Sequence, residues 1–153
     1  MYWLLDSEPV EVSAFHLPGG KPEPVGSNNL AASFRFADGS VGNLTYCTVG
    51  SRTSGGERVE VFAEGLGAWT EDFKKLSLRG RLARTRSRFW AEKGYAAQLE
   101  SFLDGIRRGK EPEVTVRDGV RATIGCLRML EAARTGRVTP IDIESVLAAS
   151  TAA

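Results

Sequence analysis

Apolar and polar residues alternate with a period of two along the first half of the chain and recur at spacings of three and four along the second. In residues 9–17 (PVEVSAFHL) Val10, Val12 and Ala14 share one parity and Glu11 and Ser13 the other, which predicts a half-buried first strand. Leu30, Ala32, Phe34 and Phe36 repeat the alternation, Ala37-Asp38-Gly39-Ser40 supplies turn chemistry, and VGNLTYCTV follows, so a β-hairpin is expected. RVEVFAEG alternates again through Val59, Val61 and Ala63, and Gly65-Leu66-Gly67 turns the chain into AWTEDF and then KKLSL. Three further short strands are predicted there, and strands this short with tight connections suggest an antiparallel meander. Residues 18–27 (PGGKPEPVGS) resist both helix and ladder and read as a surface loop. The apolar Met1 to Leu5 stretch stops at Asp6-Ser7-Glu8-Pro9 and reads as the end of a helix.

Beyond residue 90 the period changes. Tyr95, Leu99, Phe102, Leu103 and Ile106 make one apolar stripe within residues 91–108, and Gly109 stands where a C-cap belongs. Thr115 and Asp118 make a capping-box start for a second helix, whose stripe runs through Val120, Ile124, Leu127 and Leu130 and stops before Gly136. Arg134 and Arg137 suit its negative end. From Ser145 the chain is small and alanine-rich, which predicts a frayed tail over 145–153. The expected fold class is α+β over 1–144: an open, predominantly antiparallel sheet of about six strands with helices packed on one face.

Composition narrows the function classes. The length of 153 residues suits a single core, and a hydrophobic fraction of 42% with 25% charged residues excludes wholesale disorder. Twenty Lys and Arg against nineteen Asp and Glu leave a net charge of +1, so no whole-chain field draws the protein to a polyanion. Cys47 and Cys126 lie too far apart for a metal-type pair or a disulfide framework, which fits a reduced, cytoplasmic compartment. MYWLLDSEP lacks a basic leader region and no apolar run reaches spanning length, so neither export nor a membrane is expected.

Candidate chemistry is sparse. His16, the one histidine, is a proton shuttle or a polar residue at the strand end, and no carboxylate partner stands near it in sequence. Arg79, Arg81, Arg84, Arg86 and Arg88 gather in RGRLARTRSR without interleaved aromatics, so a solvated or interface segment is favoured over a nucleic-acid track. Gly65-Leu66-Gly67 lacks the third glycine and the helix of a dinucleotide fingerprint and reads as a turn. Asn43-Leu44-Thr45, formally a glycosylation sequon, falls within a predicted strand. Glu57, Glu60, Glu64, Glu71 and Asp72 read as solvated faces, and no metal site or catalytic constellation emerges.

Three stretches together resemble the C-terminal domain of the Gfo/Idh/MocA family of NAD(P)-dependent oxidoreductases. They are the hairpin NLAASFRFADGSVGNLTY, the strands RVEVFAEGLGAWTEDFKKLSL, and the closing segments KGYAAQLESFLDGIRRGKEP and RATIGCLRMLEAARTGRVTPI. The resemblance covers Tyr2 to Ile141. Members of that family carry a Rossmann domain with a glycine-rich fingerprint and an E-K-P motif with a catalytic lysine, and neither occurs here. Lys110-Glu111-Pro112 has the letters in another order and takes no catalytic role, and His16 does not match the family's catalytic histidine.

The resemblance therefore implies a substrate-binding and oligomerisation domain, with no catalytic or cofactor-binding residues of its own, whose parent uses NAD(P) on a sugar or polyol. Its implied partners are a second copy through the open sheet face, a Rossmann domain in cis or trans, and a sugar-like small molecule. The segment Thr48 to Glu57 would approach the substrate pocket, with Arg52 as the ligand for an anion or hydroxyl and Ser51, Thr53 and Arg58 beside it. Lys93 stands at a K-G-H-like position where Tyr95 replaces the histidine. The alternative reading is a stand-alone, non-catalytic binding or scaffolding module on the same sheet.

Overall fold

A computed structural model of the chain describes residues 1–17, 29–51, 53 and 56–151. In chain order the elements are α1 (Tyr2–Leu5), β1 (Pro9–His16), β2 (Leu30–Phe36), β3 (Val41–Tyr46), β4 (Arg58–Ala63), β5 (Leu66–Glu71), β6 (Lys75–Arg79), β7 (Arg84–Ser87), α2 (Tyr95–Arg108), α3 (Val116–Thr135), β8 (Thr139–Pro140) and α4 (Ile143–Thr151). The fold is α+β, and every strand pair is antiparallel. Among the described residues the strands divide into two open four-stranded sheets, ordered β3-β2-β1-β8 and β4-β5-β6-β7, where the sequence predicts a single sheet of about six. The chain forms two compact units, Met1–Val49 with Val114–Ala153, and Gly50–Glu113. The proline-rich loop predicted over 18–27 lies outside the described residues.

The first unit holds the buried core. Pairing of Val12 with Phe34, and of Ala32 with Ala14 and Leu44, puts these side chains on one face of the sheet. Against that face α3 lays Ile124, Met129 and Ala132. Val12 is fully buried and Phe36 is 2% exposed, while the opposite face is exposed and mixed, with an Arg35–Glu11 ion pair at 2.8 Å together with the apolar Phe15 and Val41. Gly42 on β3 makes room for this packing, because a Cβ there would stand 3.1 Å from the Phe36 ring and 2.8 Å from the Met1 sulfur.

Local chemistry sets the element ends. The Asp38 carboxylate accepts the Ser40 N–H at 3.0 Å and Gly39 takes φ 88°, which makes the β2–β3 turn. Thr115 and Asp118 form the predicted capping box at the start of α3. The hydroxyl and N–H of Thr115 hold the Asp118 carboxyl below its usual pKa. Of the tail expected to fray over 145–153, the residues as far as Thr151 belong to α4, which starts at Ile143. Asp142 accepts the Ser145 N–H at 3.0 Å, and Ile141 and Ile143 are buried, so the tail is both capped and anchored.

In the second unit β4 to β7 form a meander whose register gathers Val59, Val61, Leu66, Ala68, Leu76 and Leu78 on one face. Arg84 and Arg86 of β7 pair with Leu78 and Leu76, so they join that face at its edge. Gly67, Trp69, Ser77 and Arg79 belong to the other. Among the described residues of this unit no apolar side chain is buried, and its one buried side chain is Ser77. The stripe of α2, predicted to pack on the sheet, is also uncovered: Tyr95, Leu99, Phe102, Leu103 and Ile106 are all exposed. Gly109 caps α2 with φ 63°, as its position predicts.

Candidate functional site

Two of the candidate residues, Arg58 and Lys93, lie where the chain enters β4. Arg58 opens β4 and pairs across the ladder with Glu71, the last residue of β5. Asp72 follows Glu71 directly, and its Oδ1 accepts the backbone N–H groups of Gly56 at 2.6 Å and Glu57 at 3.0 Å. These two bonds hold the Asp72 carboxyl below its ordinary pKa, because they favour the ionised form. A residue with φ 50° thus ties the loop to the hairpin.

Charged side chains surround that tie. Glu60 accepts from Arg58 Nε at 3.0 Å and Nη2 at 2.5 Å, and Glu71 lies 3.9 Å from Nη1. The hydrogen bond that Arg58 donates to Glu60 is the main reason the Arg58 pKa is raised. Lys93 Nζ stands 3.4 Å from Glu57 and 5.4 Å from the centre of the Phe73 ring. Of the predicted loop candidates, Ser51 and Thr53 are bonded to each other through their hydroxyls at 2.8 Å. Arg52 lies outside the described residues.

The structure thus brings Arg58 and Lys93 to one rim but gives each an acidic neighbour of its own. A carboxylate ligand would have to displace Glu60 from Arg58, whereas a hydroxyl could join the pair as donor to Glu60 and acceptor from Arg58. Chemically the rim is suited to polyhydroxylated ligands. Of the acidic residues expected to be plain solvated faces, Glu57, Glu60, Glu71 and Asp72 are part of it, and Asp72 is the one whose role sequence reasoning missed. Its signal was its place just after the strand paired with the loop's exit. No cluster of His, Cys, Asp and Glu among the described residues could hold a metal ion, and no described helix is long and apolar enough to cross a membrane. His16 sits exposed at the end of β1 with Nδ1 3.0 Å from the Leu17 carbonyl oxygen, in the other unit. Cys47 and Cys126 are both free thiols.

No protein-family model and no curated protein matches the sequence. Solved structures do match the fold. UDP-N-acetylglucosamine 3-dehydrogenase GnnA from Acidithiobacillus ferrooxidans superposes with a TM-score of 0.75 at 21% identity, over 88% of this chain and 43% of that one. An aldose-aldose oxidoreductase from Caulobacter crescentus, complexed with glycerol, gives 0.74 at 19% identity over 92% of this chain and 43% of its own. Levoglucosan dehydrogenase in complex with NADH gives 0.71 at 14% identity, over 88% and 45%. The chain spans less than half the length of each of these enzymes. Both the agreement over most of this chain and the partial coverage of the neighbours lead to one conclusion: the chain has the fold of the C-terminal domain of Gfo/Idh/MocA-type oxidoreductases.

Proposed function

We propose that this chain is the substrate-binding and oligomerisation part of an oxidoreductase that acts on a sugar or polyol with NAD(P), and that it is not catalytic alone. The observation that carries the reading is the uncovered apolar face of the second unit, on a fold shared with enzymes named for their sugar substrates. An apolar sheet face of this kind marks a contact surface. In this reading a second copy covers it, the rim of Arg58 and Lys93, with Ser51, Arg52 and Thr53 as the sequence-predicted candidates, serves the sugar, and a Rossmann domain in cis or trans supplies the nicotinamide. Hydride chemistry belongs to that cofactor; this chain contributes position and hydroxyl contacts.

The rim is tested by calorimetric titration with UDP-N-acetylglucosamine. Saturable binding is expected, weakened at least about tenfold, or about 1.4 kcal/mol, when Arg58 and Lys93 are both changed to alanine. Asp72→Gly should weaken it as well, because it releases Gly56 and Glu57 while tolerating the positive φ. Binding that ignores all three changes would show that the rim is not the substrate side.

A further inference from the structure

The far end of the β4–β5 hairpin carries a second, unrelated constellation. The hairpin register runs from Arg58 opposite Glu71 to Ala63 opposite Leu66, so its turn lies five residues, about 17 Å, from the charged rim. Beside that turn is a shallow trough of about 610 Å³, within the size range of small-molecule sites. Gly67 forms its floor, with Phe62 and Arg79 as its cross-strand neighbours. A Cβ on Gly67 would stand 3.5 Å from the Phe62 ring and 3.9 Å from the Trp69 ring, so both rings converge over the missing side chain. The Arg79 guanidinium lies 5.2 Å from the centre of the Trp69 ring, and its Nη1 donates to the Leu78 carbonyl oxygen at 2.9 Å. That leaves a fixed guanidinium with further N–H donors beside an aromatic surface. Glu64, exposed in the turn with φ 50°, adds a carboxylate that can only accept.

We propose that this trough binds a neutral pyranose ring at a site separate from the charged rim. The apolar C–H face of such a ring stacks on Phe62, which is 73% exposed. Its hydroxyls both donate and accept, and so match a pure donor, Arg79, and a pure acceptor, Glu64, at once. A phosphate or carboxylate ligand would be repelled by Glu64, and a wholly apolar ligand would use neither charged group. The proposal does not rest on the substrate role given to Arg58 and Lys93.

Trp69 is the reporter. Trp3 and Trp90 are 79% and 77% exposed, so Trp3→Phe with Trp90→Phe leaves the fold intact and one indole in the chain. Titration of that protein with methyl β-D-glucopyranoside should change Trp69 fluorescence saturably, with a Kd of about a millimolar. Phe62→Ala should raise the Kd at least about tenfold. Arg79→Met, which keeps an aliphatic cover over Trp69 but has no donors, should raise it as well. Three results would overturn the proposal: no saturable change in the single-Trp protein, a Kd unmoved by both variants, or a Trp69 signal that follows protein concentration without sugar. The last would mean that a second copy fills the trough.

Discussion

Changing Leu76 and Leu78 to glutamate is expected to convert the protein from a dimer or larger assembly into a monomer while leaving its fold intact. Both residues lie on β6, 40% and 41% exposed, in the apolar face that the second unit leaves uncovered. Within one copy the new carboxylates would stand opposite Arg86 and Arg84, and opposite charges paired across strands support a ladder. Between copies the balance reverses. A two-fold contact repeats each substitution, so four carboxylates would have to leave water, and burying even paired charges costs more than burying leucine. The dissociation constant should rise at least about 100-fold, or about 3 kcal/mol. Light scattering across a dilution series reads the mass, and circular dichroism reads the fold. A variant of unchanged mass and unchanged fold would place the contact elsewhere.

The second large effect belongs to the core of the first unit. Phe36 is 2% exposed, ends β2, and packs where Gly42 leaves space for its ring. Phe36→Ala should cost about 3 to 5 kcal/mol, because it removes the ring's burial and leaves a cavity that the β1–β2–β3 ladder cannot close. A lower urea midpoint at unchanged slope is the expected signature. By contrast Phe62→Ala, of a phenylalanine 73% exposed in the second unit, should leave the midpoint almost unchanged. Equal losses at the two positions would contradict the placement of the buried core.

Much of this fold was legible in the sequence because its signals are local. The Asp38-Gly39 turn, the capping box of Thr115 and Asp118, and the C-cap at Gly109 each depend on residues within one turn of each other. What escaped depends on partners distant in the chain. β7 reads R-T-R-S and shows no apolar alternation, yet it pairs because backbone ladders need no apolar side chains. β8 has only two residues, held by pairing to Glu11 and Val12 of β1. The helix over 143–151 depends on Asp142, whose capping role was masked by an alanine-rich tail. The amphipathic stripe of α2 was visible, but a stripe says only that something apolar should cover it. In the candidate site, Arg58 and Lys93 were visible as cations. The pairing of Arg58 with Glu71 follows from strand register, and the Lys93–Glu57 pair and the tie made by Asp72 from how distant segments meet, so none of these was.

The central claim, that this chain holds the sugar and joins the subunits while the nicotinamide belongs to a Rossmann domain, meets its most direct test in one sample. Titrating the purified chain with NAD(H) and NADP(H) by calorimetry, with its mass recorded by light scattering, should give no specific nucleotide binding and a stable dimer or larger assembly. A monomer that binds either nucleotide with micromolar affinity would contradict it.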